Sequence, residues 1–231
     1  RSSLRGTLGS RQSVLLTIGY TAHCWEVLGI WAWAPAFLMA SLSPDGLGGT
    51  MLSGVAVAAA LHLAGFAATF SMGDASDRWG RRNVLVATAA GGALLSLIFG
   101  WCGALPAPLL LALAFLYSFT ALGDSSVLSA AMTEAVPPSH LGTLLALRSV
   151  LGFGAGAASP VVFGWILDAT NITGGLPQNW GWAFAVLGIG GLVATLSSAL
   201  LPAGRERRGY SRSNLSASRA AIGCPEVSNS P

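Results

Sequence analysis

An all-α membrane protein with six transmembrane helices is the fold this sequence predicts, and three observations carry the prediction. The 231-residue chain is 53% hydrophobic and only 9% charged, whereas a soluble domain averages about 25% charged residues, so it could not clothe a water-facing surface. Its apolar residues gather into six stretches, each near the ~20 residues that cross ~30 Å of hydrocarbon. Its 12 basic residues are all arginines, and they flank those stretches on one side only.

The spans are expected at residues 14–40, 51–72, 84–105, 109–132, 144–167 and 180–201, with ends uncertain by about ±4 residues. Turn-forming residues separate them: Ser43-Pro44-Asp45-Gly46, a charged loop over 73–82, Leu105-Pro106-Ala107-Pro108, Val136-Pro137-Pro138-Ser139 and Gly174-Gly175-Leu176-Pro177. Pro35 and Pro160 fall inside spans, where neighbouring helices can satisfy the freed carbonyls. Arg1, Arg5 and Arg11 precede the first span, Arg78, Arg81 and Arg82 lie between the second and third, and Arg148 enters the fifth from the same side. Arg205, Arg207, Arg208, Arg212 and Arg219 follow the sixth, and the three opposite loops hold no arginine. By the positive-inside rule both termini are cytoplasmic. Residues 1–13 are then a cytoplasmic lead-in, 14–203 the membrane unit and 204–231 a disordered basic tail. Trp31, Trp33, Trp101, Trp165, Trp180 and Trp182 cluster towards the outer ends, as an interfacial belt would.

Other classes fit poorly. Cys24, Cys102 and Cys224 lack metal-ligand spacing, so no disulfide framework, metal or cofactor is expected. A net charge of +3 is compatible with nucleic acid, but the arginines sit where topology needs them, so no nucleic-acid partner is expected. The first span is too long for a signal peptide and carries His23 and Glu26 inside it. Asn171-Ile172-Thr173 and Asn214-Leu215-Ser216 match the glycosylation sequon, a pattern short enough to arise by chance.

The loop Gly73-Asp74-Ala75-Ser76-Asp77-Arg78-Trp79-Gly80-Arg81-Arg82 resembles the signature loop of the major facilitator superfamily, between the second and third helices of each half. Gly73, Asp77, Arg78, Gly80, Arg81 and Arg82 match; Ala75 stands where Leu is usual. The fifth span, with Gly152, Gly156, Pro160 and Gly164, is similar to the Gly/Pro-rich fifth or eleventh helix of that family. The resemblance covers about residues 12–203. It implies one half of a major facilitator fold, a 3+3 inverted repeat, and secondary transport of a small solute by alternating access in a bacterial inner membrane. Phrases around Tyr20 to Glu26 and Ala121 to Ser125 look most similar to C-terminal halves of bacterial members near the cyanate and nitrate permeases. The missing six-helix half is then expected from the same gene, or from a second copy in a homodimer.

Ionisable groups inside a bilayer are costly and are functional candidates by default. They are His23 and Glu26 in the first span, His62 in the second and Asp124 in the fourth; the third and sixth have none. In the family the first, second, fourth and fifth helices line the cavity, and the third and sixth face lipid. His23 and Glu26, three residues apart, share a helix face, and Tyr20 extends the stripe. Glu26 with His23 as partner is the candidate proton carrier; an interhelical structural bond is the alternative. Asp124 either admits substrate or water, or is a buried partner of Arg148 or of a neighbouring helix. His62 reads as a satisfied core histidine.

The resemblance makes the charged loop a conformational gate, with Asp77 held by a helix N-terminus of the other half and by arginines. Gly73 and Gly80 are expected to permit a tight turn. Gly152, Gly156, Pro160 and Gly164 form a bare stripe for close packing, with a hinge at Pro160 left open. The competing readings are a Mg-dependent membrane transferase using Asp74 and Asp77, which lacks a second acidic cluster, a serine hydrolase at Gly123-Asp124-Ser125-Ser126, which lacks a nucleophile elbow, and a non-transporting adaptor.

Overall fold

The computed structural model describes residues 3–42, 51–172 and 178–202; the tail from 204, the breaks at 43–46 and 174–177, Cys224 and the second sequon lie outside the described residues. Seven helices are described: α1 (Leu4–Leu8), α2 (Arg11–Leu42), α3 (Met51–Trp79), α4 (Arg81–Phe99), α5 (Ala107–Ala135), α6 (Pro138–Thr170) and α7 (Gly181–Ala199). α2 to α7 are long and apolar enough to cross a membrane. Leu, Ala and Gly dominate them, and Pro stands only where helices tolerate it. Pro106 and Pro137 precede α5 and α6, leading with residues whose missing N–H would have had no helical partner. Part of the expected N-terminal lead-in is helical: α1 is capped by Ser3 Oγ, which accepts from the Gly6 amide, and residues 11–13 already belong to α2.

The neighbour relations have a two-fold pattern. α2 packs on α6 and α7, α5 packs on α3 and α4, α4 lies along α7, and α2 meets α5. Exchanging α2 with α5, α3 with α6 and α4 with α7 leaves that set unchanged, which is the 3+3 repeat of half a major facilitator fold. Close backbone approach closes the α4–α7 seam. A side chain at Gly191 would meet Ala93 at 2.7 Å, and one at Gly188 would meet the Ser96 Cβ at 3.2 Å. In lipid no hydrophobic drive holds helices together, so such small-residue contacts carry the packing.

The two ends differ. Arg11 donates to the Leu200 carbonyl at 3.3 Å, and Arg82 donates to the Ala199 carbonyl through Nε and Nη2 at 3.2 and 2.8 Å. Cations thereby cap the orphan carbonyls of α7 where its dipole is negative. The opposite end is an aromatic block. Phe37, Phe99, Phe163 and Phe184 are fully buried and meet edge to face, with ring centroids 4.9 Å apart for Phe37–Phe99 and for Phe163–Phe184. Two of the expected belt tryptophans join this core. Trp180 is buried and Trp33 stacks on Phe163 at 5.1 Å, whereas Trp101, Trp165 and Trp182 are exposed.

The largest departure from the sequence reading is at the charged segment. It is not a loop: α3 continues through Trp79, α4 starts at Arg81, and Gly80 alone breaks the helix, at φ 85° and ψ 141°. Gly73 is therefore helical and supplies no turn. The pair Asp74–Arg78 at 2.9 Å supports the last turns of α3 in helical form, and Asp77–Arg81 at 2.6 Å bridges the break at Gly80 from α3 to α4.

Candidate functional site

α2 is the hub of the interior because four helices pack around it and its polar residues point to different neighbours. His23 faces α5: its Nδ1 lies 2.7 Å from Asp124 Oδ1, both side chains only 6% exposed. Glu26 faces α4 and accepts a 2.6 Å hydrogen bond from Ser96 Oγ; Ser96 is itself bonded to the Tyr117 hydroxyl. Gly92 leaves room for that carboxylate, since a Cβ there would lie 3.1 Å from Glu26 Oε1. Tyr20 faces α6, where the Arg148 guanidinium lies 4.0 Å from its ring centroid.

His23 and Glu26 are thus not partners of each other. Residues three apart on a helix lie about 60° apart around its axis; His23 meets α5, which packs on α2, whereas Glu26 reaches across to Ser96 on α4, which packs on α5 and α7. Asp124 pairs with a neighbouring helix, but through His23 and not Arg148. His62 is not in the core: it is exposed, stacks on Trp31 with ring centroids 5.0 Å apart, and has Nδ1 2.8 Å from the Ala58 carbonyl of its own helix.

The stripe on α6 lies against α2. A side chain at Gly152 would meet Tyr20 Cε1 at 2.6 Å, one at Gly156 the Cys24 carbonyl at 3.1 Å, and one at Gly164 Trp33 at 3.1 Å. Bonds pin the turn around Pro160 to α2: Ser159 Oγ donates to the Trp25 carbonyl at 2.6 Å, and Trp33 Nε1 donates to the Pro160 carbonyl at 2.9 Å.

At the arginine-rich end, Arg81 joins three helices. From the start of α4 it reaches Ser76 and Asp77 on α3, and Glu134 on α5 at 3.1 Å. Arg82 joins the same point to α7. Asp77 remains 65% exposed on its side chain, with Asp74 and Arg78 similarly open.

Arg148, expected both to mark topology and as one candidate buried partner of Asp124, is buried within α6 but meets Tyr20 and Ser129 instead. Sequence reasoning missed Ser96, Tyr117, Ser129 and Ser159. Serine gives no warning in an apolar span, because it satisfies itself on the preceding turn as readily as it bonds across helices. Thr17 and Thr21 do the former, on the Ser13 and Thr17 carbonyls.

Six membrane-length helices with this connectivity have the architecture of half a membrane transport protein. Residues 16–223 match the Major Facilitator Superfamily, and the chain belongs to that family. It is an integral membrane protein of a family that carries small solutes across bilayers and is one of transporters rather than enzymes. No curated protein matches the chain, so the likeness to cyanate and nitrate permeases has no named relative behind it.

Proposed function

We propose that this six-helix unit is half of a secondary transporter that moves a small solute by alternating access, with the His23–Asp124 pair carrying a coupling proton. The observation that supports this is the 2.7 Å contact itself, buried where α2 meets α5. A carboxylate facing an imidazole can pass one proton between two neutralised states, and each state depends on how α2 and α5 stand. Glu26 is turned to Ser96 on α4, about 60° around α2 from His23, and acts as an interhelical bond, while His62 is exposed and stacks on the partly buried Trp31.

The arginine-rich end faces the cytoplasm of a bacterial inner membrane, following the positive-inside rule. α3 and α6 expose most of their apolar surface, including Phe66, Phe70, Val150 and Val161; they offer the face for a second six-helix unit, from the same gene or from a second copy. Asp77, open on one side of its bond to Arg81, is the gate residue that meets that unit when the cytoplasmic side closes.

In proteoliposomes, uptake of the transported solute should accelerate under an imposed pH gradient. His23→Gln and Asp124→Asn should each keep downhill exchange while losing gradient-driven accumulation. Accumulation at the wild-type level by Asp124→Asn would refute proton carriage by this pair. Asp77→Asn should redistribute inward-open and outward-open states in a cysteine cross-linking assay; an unchanged distribution counts against the gate.

A further inference from the structure

Every acid among the described residues has an accountable position, and none serves Arg148. Asp124 is against His23, Glu26 against Ser96, Asp74 against Arg78, and Asp77 and Glu134 share Arg81. Asp168 is on α6 itself, twenty residues further on, which along a helix is about 30 Å away. Arg148 is nonetheless 7% exposed. Its hydrogen bond is a long one, 3.3 Å from Nη2 to Ser129 Oγ, and Nε and Nη1 are buried without a partner.

A guanidinium does not shed its charge in a protein, and a buried cation with unmet donors carries a heavy desolvation cost. Natural structures satisfy such groups, so these donors call for an acceptor that the described residues do not supply. The geometry of the donors points to the kind of acceptor. The Tyr20 ring covers one face of the guanidinium, leaving donors that point outward in its plane, the direction in which carboxylate oxygens accept. One positive charge is neutralised by a monoanion, whereas a dianion would bury an excess negative charge. Tyr20 and Ser129 are half-buried and form the rim of the site. The Tyr20 ring is 6.0 Å from that of His23, so the site adjoins the proposed proton pair.

We propose that Arg148, framed by Tyr20 and Ser129, binds the carboxylate of a small monoanionic solute; this rests on the transporter reading and names its substrate class. The full chain in detergent would be titrated with acetate, pyruvate and benzoate, and with acetamide and benzamide as uncharged counterparts, following the thermal unfolding midpoint at constant ionic strength. At least one carboxylate should raise the midpoint, and its amide should not. Arg148→Gln should weaken that carboxylate about tenfold or more, the usual loss for a charged hydrogen-bond partner. Arg148→Lys, which keeps the charge but not the planar donors, should lose less and guards against misfolding of the Gln variant.

Equal effects of acid and amide, or no response to any of the three carboxylates, would overturn the assignment. So would unchanged carboxylate affinity in Arg148→Gln. Binding without any uptake, downhill or pH-driven, would remove the transporter reading and leave this site standing. Proton-driven uptake that persists in Arg148→Gln together with unchanged carboxylate affinity would do the reverse.

Discussion

The charged end of α3 and α4 and the polar interior around α2 use the same side-chain chemistry in opposite ways. At the end, five charged residues crowd the last turns of α3 and the start of α4, and most are open to solvent. In the interior His23, Asp124, Glu26 and Arg148 are spread over three helices and almost wholly enclosed. Exposed ion pairs contribute little because water and salt screen them. Enclosed ones have no such competitor, so each partner's absence is felt in full. The end therefore tolerates many charges with a modest effect from each, while the interior holds few and depends on every one.

The largest expected effect follows directly. Asp124→Asn leaves a buried imidazole without its carboxylate and should cost about 3–5 kcal/mol of stability, the penalty for breaking one side of a buried pair. Measured by reversible unfolding in detergent, the double variant with His23→Gln should recover part of the loss, with a coupling energy of about 0.5–3 kcal/mol. Strict additivity would erase the distinction between interior and end.

The fold was legible in the sequence because the bilayer enforces it. Six stretches of spanning length and one-sided arginines leave little freedom, and the six spans fall where hydropathy put them, to within a few residues at most ends. The exceptions have local causes. α3 runs seven residues beyond Met72, where Asp74 and Arg78 pair within the helix; α4 stops at Phe99, followed by a Gly100 at which a side chain would meet the Trp180 carbonyl; and α6 starts at Pro138, a residue suited to the first helical position. The candidate site was only partly legible. Spacing places His23, Glu26 and Tyr20 on one helix, but which helix each one faces is decided by the packing of α4, α5 and α6. Arg148 was visible as a candidate partner of Asp124, but not with its actual partners Tyr20 and Ser129, which lie 128 and 19 positions away in the chain.

The two glycines of the charged segment sharpen the comparison at intermediate scale. Gly80 sits at φ 85°, and a side chain there would meet nothing within 4 Å. Gly80→Ala should therefore lose about 1–3 kcal/mol through backbone strain alone. Gly73 is helical, and a Cβ there would meet Ser126 Oγ at an ordinary 3.7 Å. Gly73→Ala should raise stability by up to about 1 kcal/mol through helix propensity. Opposite signs in the same unfolding assay would confirm that the turn is made at Gly80 alone; a loss at Gly73 comparable to that at Gly80 would restore the two-glycine loop.

The smallest effect is expected at Arg78, whose side chain is 71% exposed against a 63% exposed Asp74. Arg78→Ala should change stability by about 0–1 kcal/mol, and the change should shrink as salt is added. Its neighbour Arg81 differs in kind, although the two are three residues apart. Arg81 is one-quarter exposed and ties α3 to α5 through Asp77 and Glu134, so Arg81→Ala should cost more than Arg78→Ala at every salt concentration. Were the two variants equal at high salt, the end would be acting only as a patch of positive charge that orients the chain. A persistent gap would mean that its geometry also holds three helices in register.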